Sequence, residues 1–305
     1  MTPDPGLDEL KAGGKPAVAL ALAELERAPD SPANLALLDA AYAAPNAHVV
    51  GLTGPPGVGK STLAGSLIRA LRAEGRSVAV IAVDPSSRHS GGALLGDRTR
   101  LATDPEDRAI FVRSMAARDR LGGLAELSIG AMVILRALYD IVLLETVGVG
   151  QSETDVADCA DTVVFCVQPG SGDSLQFMKA GIVEIPHLVV VTKADMGAIA
   201  TRTRADVAGA LGLAEPGDWP VQVLSLSASR GEGVDRLAAA LHRRWAWLAD
   251  AGRLARQRQA QSRHWLVDGI RQRFGRDGLK RAGEVSLADG ESPFARLAEI
   301  SARLG

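Results

Sequence analysis

Gly54-Pro55-Pro56-Gly57-Val58-Gly59-Lys60-Ser61-Thr62 contains a glycine, four residues and then Gly-Lys-Ser. That spacing suits a loop that wraps a pyrophosphate. Glycines let backbone N–H groups curl around the anion, and the N-terminus of a following helix adds partial positive charge. Lys60 reaches β- and γ-phosphate oxygens, and Ser61 ligates Mg²⁺. The flanks are those the motif needs, with His48–Thr53 reading as a buried strand and Thr62–Ala73 as a helix. A plain Gly-Pro turn explains the glycines but not the lysine and the hydroxyl. The stretch predicts a nucleoside triphosphate site.

Other candidates for chemistry follow apolar runs. Asp84, in Asp84-Pro85-Ser86-Ser87, and Asp97, near the end of Gly91–Arg98, each suit a turn or a helix cap. Beside a Mg-nucleotide loop each also suits a ligand of the metal or of its water. Glu145 closes a strand and Gly148 stands three residues later. NTPases that sense the γ-phosphate place a Mg²⁺-linked carboxylate and a phosphate-contacting glycine in this way. Val149 takes the place directly after Gly148, where some GTPases carry a glutamine that orients the attacking water, and Gln151 lies two residues further on. Gln168–Lys179 reads as a loop and helix start with Asp173 as a capping residue.

Thr192-Lys193-Ala194-Asp195 ends a later strand. A lysine stem there can lie over a purine while the Asp195 carboxylate accepts from guanine N1–H and N2–H₂. Adenine has no donor at either place. Ser227-Ala228-Ser229 then offers backbone N–H groups to guanine O6. A Lys-x-Asp pattern is short by itself, and its position after a phosphate loop gives it weight.

These residues need elements that gather them. Apolar runs at His48–Thr53, Ser77–Val83, Ile110–Val112, Asp140–Leu144, Thr162–Val167, Leu188–Thr192 and Val221–Leu226 alternate with helical stretches. Strands without polar alternation imply an α/β fold, a P-loop NTPase whose mostly parallel sheet is covered by helices on both faces. In such sheets, functional groups collect at the C-terminal ends of strands. Arg113–Gly123 reads as a polar loop leading to a helix over Leu124–Leu138. Residues 1–44 read as an appended helical hairpin, Pro16–Ala28 and Pro32–Ala44, with each proline in a first turn. The nucleotide domain spans 45–250, and residues 251–305 form a helical arm that ends in a short helix over Pro293–Leu304. Within the arm, Arg253–Arg263 is too polar for a core helix. Arg243–Ala282 carries eleven basic and three acidic residues, which reads as a solvated face ahead of a nucleic-acid or acidic-ligand patch. The helical stretches of this C-terminal part carry Trp245 and Trp265, and such residues on an exposed arm call for a partner surface, so a homodimer is expected.

The bulk numbers exclude several classes. With 34 basic and 36 acidic residues, the molecule is not a nucleic-acid sponge, and no nucleic-acid partner is expected. Cys159 and Cys166 suit small buried hydrophobes and not a disulfide or metal cluster. No basic-then-apolar leader opens the chain, and no apolar run approaches the ~20 residues of a membrane span. A soluble, cytoplasmic protein without a membrane partner is expected.

The strings GPPGVGKST, VDPSS, GGALLGDRTR, ETVGVGQSE, PGSGDSLQ, TKAD and LSASRGEGV, in that order, resemble the MeaB/ArgK-type P-loop GTPases. These are chaperones of adenosylcobalamin-dependent acyl-CoA mutases, above all methylmalonyl-CoA mutase. The likeness covers about residues 48–240 and continues more weakly into both helical ends. It implies a GTPase that binds the mutase, gates cobalamin loading and removal, protects the mutase from inactivation, and dimerises through its C-terminal arm. By that resemblance Lys60 and Ser61 handle phosphates and Mg²⁺, and Asp84, Asp97 and Glu145 surround the metal. Lys193, Asp195, Ser227 and Ala228 read guanine, and PGSGD is a mobile loop that senses the mutase. Thr192 departs from the usual Asn, Asp119 from a usual glycine, and Phe177-Met178 and Pro186-His187 from small and acidic residues. A metal-insertion GTPase for nickel enzymes shares the general design but needs a Cys/His cluster. His48, His89, His187, His242 and His264 are scattered. An ArgK-type transport-associated kinase or ATPase is a further alternative, against which Asp195 argues.

Overall fold

Strands that lack a polar face bury both sides, so their order in the sheet decides which loops meet. The computed structural model describes residues 6–85, 101, 103–117, 126–146, 156–170, 185–213 and 217–305. Its strands are β1 (His48–Thr53), β2 (Val78–Pro85), β3 (Ile110–Ala117), β4 (Ile141–Glu145), β5 (Thr162–Val167), β6 (Leu188–Val191) and β7 (Gln222–Ser225). They form a seven-stranded sheet in the order β3-β2-β4-β1-β5-β6-β7, and every pairing is parallel. The chain fills one side of β1 with β2 to β4 and then turns to the other side with β5. A ligand crevice at the C-terminal end of β1 follows from that reversal.

The described helices are α1 (Leu7–Arg27), α2 (Pro32–Ala43), α3 (Lys60–Ala73), α4 (Glu126–Leu138), α5 (Ala198–Leu211), α6 (Val234–Ala249), α7 (Arg253–Ala282) and α8 (Pro293–Leu304). The chain falls into two compact units. Met1–Ala47, Glu126–Asp140 and Leu248–Gly305 make one, and His48–Ala125 with Ile141–Trp247 makes the other.

The second unit contains the sheet. Successive strand residues point to opposite faces, so Val164 and Cys166 join one core and Phe165 and Val167 another. The first core packs Leu52, Val80 and Leu143 against Leu63 and Leu67 of α3 and Leu237 and Leu241 of α6. The second packs Val189 and Val191 against Ala200 and Val207 of α5. Both cysteines are buried, and neither forms a disulfide. β3 outruns the expected Ile110–Val112. It pairs with β2 as far as Pro85↔Ala117, because backbone pairing along an edge strand tolerates polar side chains such as Arg113 and Ser114.

In the helical unit, α1 starts earlier than Pro16 but breaks at Gly14 (φ 61°). The break puts Pro16 in a fresh first turn, where its missing N–H costs nothing. Ser31 accepts from the Asn34 N–H at 3.2 Å, and Asn34 Nδ2 donates to Ala28 O at 2.8 Å. Those bonds fix the corner between α1 and α2. The polar stretch at the start of α7 is not simply a solvated arm. Arg258 is buried, and its Nη2 donates to Ala47 O at 2.8 Å. Ser262, also buried, donates to Arg258 O and meets the Tyr42 hydroxyl at 3.0 Å. A buried guanidinium is tolerated where carbonyls receive it, which charge counting does not register. Trp245 and Trp265 are not free apolar surface either. Trp265 is buried, and Trp245 stacks on His48 with ring centroids 4.7 Å apart. Among the described residues no helix is long and apolar enough to cross a membrane.

His187, just before β6, faces inward. Its Nδ1 accepts from the Val163 N–H at 2.9 Å, and its carbonyl accepts from Trp219 Nε1 at 3.1 Å. Burial lowers its pKa to about 3, with help from Arg244 and His48 and opposition from Asp161. The folded form therefore holds a neutral imidazole, whereas the unfolded chain protonates near ~6.5. More protons bind to the unfolded state in between, so this contribution is complete above about pH 6.5 and is lost as pH falls toward 3. We expect the wild-type melting temperature to fall across that window more steeply than that of His187→Asn, whose amide oxygen still accepts from Val163. Parallel curves would show that another group governs the acid limb.

Candidate functional site

β1 delivers the chain to the phosphate loop at the sheet's C-terminal edge. Gly54 has φ 133°, and a β-carbon there would lie 2.2 Å from the Cys166 carbonyl oxygen. Only glycine satisfies both conditions. Gly57 (φ 76°) and Gly59 (φ 98°) complete the curl. Gly59 is the N-cap of α3 and makes no side-chain cap bond, which leaves first-turn N–H groups for an anion. Lys60 opens α3 and is buried, and its Nζ donates to Gly54 O at 2.8 Å and Pro55 O at 3.1 Å. The ammonium is thereby held against the loop. Pro55 and Val58 are buried, whereas Pro56, Gly57 and Thr62 are exposed.

Ser61 Oγ donates to Glu145 Oε1 at 2.5 Å. Glu145 is the last residue of β4, so pairing of β4 with β1 carries its carboxylate to the phosphate loop. The next residue locks that edge, with Thr146 N–H donating to Leu52 O at 3.2 Å and Thr146 Oγ1 to Thr53 Oγ1 at 3.1 Å. A hydroxyl and a carboxylate are hard oxygen donors of the kind Mg²⁺ takes, and the pair fits that ion. The main chain of Asp84 pairs opposite Ala116. Its side chain lies outside the described residues, as do Asp97, Asp119, Gly148, Val149, Gln151, Asp173 and Phe177-Met178. Among the described residues no three His, Cys, Asp or Glu side chains gather. Ser61 and Glu145 are therefore the part of the expected metal set that the structure brings together.

The residues expected to read the base follow β6 and β7. Thr192 is buried, and its Oγ1 lies 2.7 Å from Val58 O and 3.0 Å from Val167 O. A hydroxyl has one proton, so it donates mainly to the nearer carbonyl, in the phosphate loop. An Asn amide, with two N–H groups, would serve both. Lys193 adopts φ 51°, in the left-handed region, and its Nζ donates to Gly57 O at 3.0 Å and to Gln168 Oε1 at 2.8 Å. Asp195 is exposed. The Ser227 hydroxyl, helped by the residue's own backbone N–H and by Arg230, holds its carboxyl below the usual range. An ionised carboxylate accepts two N–H groups, as guanine requires.

One expectation needs correcting. Ser227 N–H donates to Glu232 O at 2.9 Å, so it is not free to meet a base oxygen. The expected contact with a base oxygen is then left to the N–H groups of Ala228 and Ser229, while the Ser227 hydroxyl contributes to the lowered Asp195 carboxyl. Several site residues escaped sequence reading. Thr53 and Thr146 sit at strand ends, and Gln168 directly follows β5, a polar residue after an apolar run that served as the available signal. Ser66 Oγ donates to Ala228 O at 2.7 Å, which ties α3 to the base loop and leaves no trace in any local pattern.

The chain is similar to known proteins along most of its length. The family model described as methylmalonyl Co-A mutase-associated GTPase MeaB matches residues 17–279. A Pyrococcus horikoshii protein named as a GTPase is 41% identical over 260 residues, which cover 84% of this chain and 81% of that one. The Mus musculus protein named methylmalonic aciduria type A homolog, mitochondrial, is 40% identical over 222 residues, covering 71% of this chain and 54% of the mouse chain. The crystal structure of a LAO/AO transport system kinase superposes with a TM-score of 0.70 at 31% identity, covering 90% of this chain and 87% of that one.

The Thr192 bond is open to a clean test. Thr192→Val keeps the shape and removes the donor from two buried carbonyls, which should cost about 1–3 kcal/mol in urea unfolding. Nucleotide affinity should fall with it, because Val58 lies in the phosphate loop. Unchanged stability together with unchanged affinity would mean that the hydroxyl bond does not brace the loop.

Proposed function

The chain belongs to the MeaB family of methylmalonyl-CoA mutase-associated GTPases, and from that membership and its site we propose a chaperone GTPase for a B12-dependent mutase. It binds GTP with Mg²⁺, hydrolyses it to GDP and phosphate, and serves an adenosylcobalamin-dependent acyl-CoA mutase, with methylmalonyl-CoA mutase the first choice. Its nucleotide cycle gates cobalamin loading and removal and protects the mutase from inactivation.

The observation that carries the reading is the meeting of base and phosphate machinery at one sheet edge. An ionised Asp195 follows β6, and the neighbouring Thr192 and Lys193 bond directly to the phosphate loop that holds Lys60 and Ser61. In hydrolysis a water attacks the γ-phosphorus and the bond to the β,γ-bridging oxygen breaks, with charge growing on the departing diphosphate. Lys60 and the N–H groups of the loop and of α3 face that charge, which is the electrostatic stabilisation this reaction class depends on. Ser61 and Glu145 would hold Mg²⁺, which supplies neutralisation of the phosphate oxygens. An apolar Val149 after Gly148 cannot orient water, so hydrolysis by the isolated protein is slow and the mutase supplies the missing positioning.

Pairing of two copies through residues 251–305 belongs to the same reading and rests on the family resemblance, since Trp245 and Trp265 are engaged within the chain. The nickel-insertion alternative gains no support from the described residues, which hold no metal-ligand cluster. The transport-associated kinase or ATPase alternative requires ATP, which offers Asp195 no paired donors.

Single-turnover hydrolysis of GTP and ATP, with and without purified methylmalonyl-CoA mutase, tests the proposal. We expect slow GTP turnover alone, acceleration of about tenfold or more with the mutase, and no comparable use of ATP. Equal rates with and without the mutase, or equal use of ATP, would overturn it.

A further inference from the structure

We propose that Gln168 is a positioning residue for guanine-nucleotide binding, acting by anchoring Lys193 to the phosphate loop. The inference rests on the proposed nucleotide site and adds a residue to it. Lysine carries a flexible four-carbon stem with large rotamer entropy, so an exposed lysine does not hold one position unless acceptors fix its ammonium. Lys193 has two, Gly57 O at 3.0 Å and Gln168 Oε1 at 2.8 Å. The amide orientation follows from chemistry, because an ammonium only donates and Gln168 must present its oxygen.

This contact is one of two parallel rungs. Thr192 joins Val58 O to Val167 O, and the next residue, Lys193, joins Gly57 O to the side chain of Gln168. Consecutive residues, Thr192 and Lys193, therefore bridge consecutive phosphate-loop carbonyls to Val167, the last residue of β5, and to Gln168, the residue after it. The Thr192 rung is built from main-chain acceptors and survives substitution at 167. The Lys193 rung depends on one half-exposed amide. Lys193 also sits at φ 51°, a conformation a non-glycine residue keeps only where its surroundings determine it.

A lysine fixed in this way presents its stem as an apolar wall to a purine ring, whatever groups the ring carries at C2. Gln168 should therefore set how tightly the site binds purine nucleotides without setting which purine it prefers, a choice left to Asp195. A residue important only for folding would have neither property.

Calorimetric titration with GDP and with inosine diphosphate separates the possibilities, because inosine lacks the 2-amino group that Asp195 reads. We expect Gln168→Leu to weaken both nucleotides by the same factor, about fivefold, with the nucleotide-free melting temperature unchanged. Gln168→Glu retains an oxygen acceptor for Lys193 and should bind within about twofold of wild type. If wild type binds and Gln168→Leu matches it within about twofold, the positioning role is wrong while the nucleotide site stands. The role is equally wrong if Gln168→Glu is as weak as Gln168→Leu, if the GDP-to-inosine-diphosphate ratio changes, or if the nucleotide-free protein melts lower. Absence of any binding by wild type overturns both this role and the nucleotide site.

Discussion

At Gly54 the main chain passes the Cys166 carbonyl so closely that no side chain fits between them. Most of the site depends on that approach. It seats the phosphate loop against the exit of β5, within reach of the residues that leave β5 and β6. The curl that continues through Gly57 and Gly59 ends at Lys60, whose ammonium returns to the carbonyl of Gly54 itself. The loop is thus closed by its own lysine at one end and pinned by a neighbouring strand at the other, with three glycines supplying backbone angles that other residues adopt only under strain.

From that loop and the helix that follows it, hydrogen bonds reach the ends of several strands. Ser61 reaches the carboxylate that ends β4, Thr192 and Lys193 reach in from β6, and Ser66 ties α3 to the loop after β7. Each bond alone contributes about 1 kcal/mol. Their joint effect is larger in one respect, since groups held from several directions need little reorganisation when charge develops near them. The same network joins the residues proposed to read the base to those proposed to hold the phosphates. A base that displaces Lys193 or Asp195 disturbs the residues that grip Gly57 and Val58.

Much of this was legible beforehand, for physical reasons that differ by element. β1, β5 and α8 have the bounds their residues imply, His48–Thr53, Thr162–Val167 and Pro293–Leu304. The two strands are short apolar runs buried on both faces, and α8 opens with a Ser292 cap followed by proline. β3 ran longer than its apolar core because edge pairing needs backbone and not side-chain hydrophobicity. Arg258 looked solvent-facing because composition does not reveal the Ala47 carbonyl that receives it. In the site, the phosphate loop and the TKAD stretch were legible from spacing, since each packs its chemistry into a few consecutive residues. The bonds between them were not, because Lys193 and Gly57 lie 136 residues apart in the chain, and a lone Gln or Thr carries no local signature of a distant partner. His187 stood out only as a departure from the family's usual residues, and the structure makes it an internal acceptor for Val163, a role no local pattern shows.

The claim that most of this account depends on is that Asp195, held ionised by Ser227, reads guanine at the edge where the phosphate loop ends. Binding of GTP and of xanthosine triphosphate to wild type and to Asp195→Asn measures it directly. Xanthine carries a carbonyl at C2 beside its N1–H, which complements an amide and not a carboxylate. The account predicts that wild type prefers GTP by about tenfold or more and that Asp195→Asn reverses the preference. A variant that keeps GTP affinity within about twofold and gains nothing for xanthosine triphosphate would contradict it.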